Sequence, residues 1–151
     1  MTFKAPDPDF AQRVTESFNR QQFMNFIGAE LVEIRPGYCE IHLPYNEALT
    51  QQHGFFHAGL VGTVADNCAG YAAFSLMDSN ASILTVEFKL NLLAPADGTR
   101  LIGKAEVIKS GRTLTICRSD IYIRKNGEET LCAIAQATLM QLSNTSDRAK
   151  G

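Results

Sequence analysis

Residues 57–77, HAGLVGTVADNCAGYAAFSLM, carry one formal charge, Asp66, among small and apolar side chains. Ala58, Gly62, Ala65, Ala69, Ala72 and Ala73 recur at helical spacing. The segment reads as a helix that starts at His57 or Ala58 and stops before Asp78. With so little side-chain bulk it can lie very close to a sheet. With no polar face it should be buried nearly all round. It is long enough for the competing reading, a membrane span. Three features argue against that reading: Gly, Ala, Thr and Asn in place of Leu and Ile, a carboxylate near the centre, and no basic flank.

The neighbouring segments supply the sheet. One amphipathic helix is expected over residues 7–26, with Phe10, Val14, Phe18 and Phe23 on its apolar face and Gly28 ending it. A strand over Ala29–Ile34 and a turn at Arg35-Pro36-Gly37 come next. In YCEIHLPY, Cys39, Ile41 and Leu43 face one way, and Glu40 and His42 the other. Beyond the helix the period is two: Val86, Phe88, Leu90 and Leu92 alternate with Thr85, Glu87, Lys89 and Asn91. Three further strands follow, RLIGKAEVIK, TLTICRSDIYIRK and ETLCAIAQATLMQL. The last two are joined by Asn126-Gly127, a type I′ hairpin signal. Short turns imply a mainly antiparallel sheet. The expectation is a single α+β domain over 1–151, with a core at about 25–141 and a polar, disordered tail at 143–151.

Charge and cysteine content narrow the function classes. A formal net charge of −2 provides no basic field for nucleic acid or anionic lipid. Cys39, Cys68, Cys117 and Cys132 form no CxxC pair and sit in apolar contexts. They read as reduced core residues, neither metal ligands nor disulfides. No secretory signal opens the chain, so a cytoplasmic location is expected.

The element order and motifs resemble the PaaI-type acyl-CoA thioesterases of the hot-dog fold, over roughly residues 25–140. The resemblance rests on a His57-Ala58-Gly59 turn opening the central helix and on Asp66 nine residues after His57. The lead-in Gln51-Gln52-His53-Gly54, the strand Thr85-Val86-Glu87-Phe88-Lys89, and the stretches LLAPADG and IKSGRTLTIC add to it. Two departures stand out. Ala58 occupies the middle of an H-G-G-like turn, and Gln51 stands where some relatives carry Asn. The resemblance implies a curved, mainly antiparallel six-stranded sheet wrapped around one long central helix, with an N-terminal helix. It also implies an acyl-CoA substrate, a homodimer and often a homotetramer made of two such dimers. No metal or redox cofactor is expected, coenzyme A being part of the substrate.

Thioester hydrolysis needs a base or nucleophile and donors for the developing oxyanion. A helix N-terminus supplies unpaired N–H groups and a positive dipole end. Asp66 is the candidate base or nucleophile, and the Ala58 amide, aided by Gly59, the oxyanion donor. His57 and Gln51 are candidates for orienting carbonyl or water, and Thr85 for contacting the water or Asp66. Gly54, Arg112 and Thr113 are candidate substrate-binding residues, with Arg112 directed at the phosphates of coenzyme A. Ala58 and Asp66 are eight residues apart, about 12 Å along a helix rising ~1.5 Å per residue. One carbonyl cannot span that distance, whereas two antiparallel copies of the helix would bring the groups together.

Other readings stand beside this one. Asp66 could be structural, capping a loop or pairing with Lys89 or an arginine, and His57 could serve only the helix start. His42 and His53 read as structural or exposed. An enoyl-CoA hydratase or dehydratase would pair a catalytic His with a carboxylate. An acyl-CoA-binding protein would use the same pocket without chemistry, but an apolar acyl pocket has no reason to bury an unpaired charge.

Overall fold

A computed structural model of the protein describes residues 2–148. Its elements, in chain order, are α1 (Phe10–Arg20), α2 (Gln22–Ile27), β1 (Glu30–Arg35), β2 (Tyr38–Pro44), α3 (Ala58–Phe74), β3 (Ser82–Leu92), β4 (Arg100–Ser110), β5 (Leu114–Lys125) and β6 (Glu128–Leu142). A single 3-10 turn, Glu47–Leu49, precedes α3. The six strands form one antiparallel sheet in the order β1-β2-β4-β5-β6-β3. The sheet curves round α3, which packs on every strand. This is the hot-dog arrangement that the resemblance implies.

The close approach of helix to sheet has a specific origin. Gly103 on β4 faces α3, and a Cβ there would lie 2.5 Å from Val64 Cγ1 and 2.6 Å from Cys68 Sγ. Buried Ser119 on β5 donates its hydroxyl to the Ala65 carbonyl at 2.7 Å, a bond that small neighbours allow. At the far end of the sheet, Asn126 (φ 54°) and Gly127 (φ 84°) both adopt the left-handed conformation that a type I′ hairpin requires. All four cysteines are buried and free. Burial pushes the Cys117 thiol up to about 12, which leaves it inert at neutral pH.

Three expectations are corrected, and the clearest strand is given its place in the sheet. The N-terminal helix is two helices, because Gln21 is extended (ψ 107°) and resets the helical phase. Met24 and Ile27 therefore turn inward, and Phe23 is left 52% exposed. The central helix is not covered all round: Gly59 is exposed and Thr63, Asp66, Asn67 and Gly70 are half-buried, a stripe along one face. The clearest strand of the sequence, β3, is an edge strand, and Leu84, Val86, Phe88 and Leu92 on it are all exposed. The start of the polar tail is ordered: Thr145 N–H donates to the Asn80 carbonyl, and Arg20 pairs with Asp147 at 2.9 Å. Residues 149–151 of that tail lie outside the described residues.

Candidate active site

Asp66 lies on the open stripe of α3, and what it faces depends on an irregularity in β3. Strict alternation would put Thr85 on the side opposite Phe88 and Leu90. The β3–β6 register shifts between Thr85 and Glu87, a bulge at Val86. Phe88 and Leu90 reach toward Gly62 of α3, and Thr85 also faces the helix. Its Oγ1 donates to Asp66 Oδ1 at 2.8 Å.

Burial raises the Asp66 carboxyl above its ordinary value, and the Thr85 hydrogen bond offsets part of the rise. Among the described residues no cation lies within ion-pair distance of Asp66, which removes pairing with Lys89 or an arginine; Lys89 bonds Asn91 at 2.9 Å instead. Asp66 opens onto a cavity of about 640 Å³ whose walls come from the α1–α2 junction, α3, β3 and Asp147 after β6.

The helix N-terminus forms the other half of the site. His57 caps α3, its Nδ1 accepting from Gly59 N–H at 2.9 Å. That bond leaves the neutral ring's proton on Nε2. It also occupies the Gly59 amide, whereas the Ala58 N–H has no acceptor among the described residues. Gln51 Oε1 accepts from His53 N–H and Phe55 N–H, stiffening a turn in which Gly54 adopts φ 79°. The side-chain nitrogen of Gln51 has no partner among the described residues, and Gln51 and Ala58 share a cavity of about 160 Å³ with Phe55, Phe56, Val61 and Cys132.

Within one chain the candidate residues therefore fall into two groups. Asp66 and Thr85 touch each other; His57, Ala58, Gly59, Gln51 and Gly54 cluster at the helix start. The two cavities have no residue in common. Arg112 and Thr113 are exposed in the β4–β5 turn and line neither cavity. His53 is exposed, and His42 is nearly buried on β2, bonded to Glu40 at 2.7 Å.

Sequence reading missed one set of residues beside Asp66. Gln21 Nε2 donates to Asn67 Oδ1 at 2.9 Å and to the Tyr71 hydroxyl at 2.6 Å, and Tyr71 meets Ser17 at 3.3 Å. Asn67 and Tyr71 are polar breaks on the same helix, but Gln21 reaches them only because α1 ends there.

A model of the thioesterase superfamily matches residues 53–130. The crystal structure of a thioesterase family protein from Silicibacter pomeroyi has 52% sequence identity and a TM-score of 0.88, covering 89% of this chain and 98% of its own. The 1,4-dihydroxy-2-naphthoyl-CoA hydrolase of Listeria monocytogenes is 26% identical over 113 residues, 75% of this chain and 89% of its own. In fold alone, the PaaI protein of E. coli is similar with a TM-score of 0.81 at 15% identity, covering 91% of this chain and 96% of its own.

Proposed function

The chain belongs to the thioesterase superfamily, and on that premise we propose that it hydrolyses acyl-CoA thioesters at a site shared between two subunits. The observation that carries the reading is a half-buried carboxylate with Thr85 as its side-chain partner, about 12 Å along the helix, at ~1.5 Å per residue, from an unpaired amide at the N-terminus.

In this reading two copies of α3 lie antiparallel with their open stripes facing. The exposed apolar side chains of β3 sit at an unpaired sheet edge, a surface that a second β3 would cover. Asp66 then takes a proton from water as the water oxygen attacks the thioester carbon. Its raised proton affinity makes it a stronger base than an exposed aspartate. The oxyanion forms against the Ala58 N–H of the opposite helix, in the field of that helix's positive end. Collapse of the tetrahedral intermediate breaks the carbon–sulfur bond, and the proton held by Asp66 neutralises the departing thiolate. In this reading His57 Nε2–H and the side-chain nitrogen of Gln51 orient the carbonyl oxygen. Gly59 acts indirectly, its N–H fixing the His57 ring. Gly54 shapes the turn beside the thioester, and Arg112 and Thr113 extend toward the phosphates of coenzyme A.

The test is release of free coenzyme A from aryl, short-chain and medium-chain acyl-CoA thioesters, comparing the parent with Asp66→Asn. Loss of at least ~100-fold in rate, in a variant that stays folded and dimeric, is the expected result. Equal turnover by both proteins removes Asp66 as the base. Tight binding of acyl-CoA with no turnover by the parent would point to a binding protein.

A further inference from the structure

The cavity at Asp66 has an unusual lining for an acyl pocket. Ile83 and Leu84 are its apolar walls, and most of the remainder is polar, including Gln21, Asn67 and Tyr71. An alkyl chain can cover the apolar part of such a space but leaves its polar groups without a partner. On the α1–α2 side both N–H donors of Gln21 are used, on Asn67 and Tyr71. The cation at the rim is Arg20, the last residue of α1.

One guanidinium nitrogen of Arg20, Nη2, meets protein acceptors, the carboxylate and the carbonyl of Asp147 at 2.9 and 3.3 Å. Among the described residues its other nitrogens have none, although a guanidinium carries five donors in a fork suited to a carboxylate. Asp147 arrives from the polar segment after β6, which is held by Asn80 to Asn144 and Thr145 and by a long Ser82 contact of 3.4 Å to Asp147. The Arg20–Asp147 pair is part-exposed and so contributes little stability. An internal carboxylate thus lines the Asp66 cavity and the neighbouring one, paired with the rim arginine by a part-exposed contact.

We propose that Arg20 selects acyl groups that end in a second carboxylate, for which Asp147 stands in when the cavity is free. The substrate class is then the CoA monothioesters of short dicarboxylic acids. This rests on the reading that the Asp66 cavity receives the acyl group. The incoming carboxylate takes the Arg20 fork, Asp147 swings to solvent, and the charge at the rim is conserved. Asp66, the other acid of the cavity, lies at the thioester end of the substrate.

The experiment compares kcat/KM for glutaryl-CoA, 5-hydroxypentanoyl-CoA and pentanoyl-CoA in the parent, Arg20→Gln and Asp147→Asn. Expected is a glutaryl-to-pentanoyl ratio of at least ~10 in the parent, collapsing toward ~1 in Arg20→Gln and rising severalfold in Asp147→Asn, where the competitor has lost its charge. Both variants are checked for native circular dichroism; should Arg20→Gln misfold, the rise of the ratio in Asp147→Asn decides the matter. Equal or better turnover of the uncharged or hydroxylated thioesters overturns the carboxylate assignment and leaves the thioesterase reading intact. So does an equal effect of Asp147→Asn on all three. Turnover of no thioester, the aryl, short-chain and medium-chain panel included, refutes the thioesterase reading itself.

Discussion

Gly103→Ala should destabilise this protein by more than an exposed strand glycine ever would. The added methyl would stand 2.5 Å from Val64 Cγ1, 2.6 Å from Cys68 Sγ and 3.3 Å from Ile121 Cδ1. All three neighbours are fully buried, so none can swing into solvent. A carbon–carbon contact is comfortable at roughly 3.5–4.0 Å, so α3 must move away from β4 by about 1 Å or the side chains must leave their rotamers. Overpacking of this kind costs about 1–3 kcal/mol. With two contacts this short the upper half of that range is expected, about 2–3 kcal/mol, which lowers Tm by roughly 4–12 °C for a chain of this size. The assay is thermal denaturation at fixed protomer concentration, since oligomerisation would otherwise shift the midpoint. Val64→Ala and Cys68→Ala should each reduce the cost of Gly103→Ala, with a favourable coupling of about 0.5–3 kcal/mol in a double-mutant cycle. Val64 and Cys68 flank Asp66 on the helix, so thioester hydrolysis should fall as well. A Tm within about 1 °C of the parent would refute the argument, because it would mean that the helix–sheet gap is not set by the missing side chain.

Three further outcomes are expected. Asp66→Asn should hold or raise stability at neutral pH while abolishing activity. Burial raises the folded-state carboxyl, so its contribution favours folding below the unfolded value of 3.8 and is lost as pH rises through the raised one; denaturation midpoints of parent and variant, compared at pH values on both sides of that interval, check this. Thr85→Val removes the hydrogen bond that holds the Asp66 carboxyl down, so the acid limb of the kcat/KM profile should move to higher pH; an unmoved limb would mean that Thr85 does not tune the reacting group. Val86→Asp places a charge on the exposed apolar edge of β3 and should yield a folded monomer without hydrolytic activity; sedimentation showing an intact, active dimer would exclude that edge as the subunit interface.

Much of this architecture is written in local sequence. The span of α3, the β5–β6 hairpin at Asn126-Gly127 and the strand periods follow from patterns of a few residues, because side-chain direction repeats with the backbone period of each element. Asp66 stands out as the single charge of its helix, and His57 as its cap, for the same reason. What the residues face is another matter. Alternation alone turns Thr85 away from Phe88 and Leu90; only the bulge at Val86, a mismatch between β3 and β6, turns it to Asp66. The break at Gln21 likewise depends on what the helix packs against: Gln21 leaves helical geometry and bonds Asn67 and Tyr71 across the molecule. The strongest strand signal in the chain lies at a sheet edge with its apolar side chains exposed, since hydrophobic pattern records that a face is to be covered and not by what. Division of labour between the two helix-start amides is local, set by a cap two residues away: the His57 ring claims Gly59 and leaves Ala58 open. Local sequence sets which elements form and which groups have the chemistry; the pairing of strands and the packing of helices set which of those groups meet.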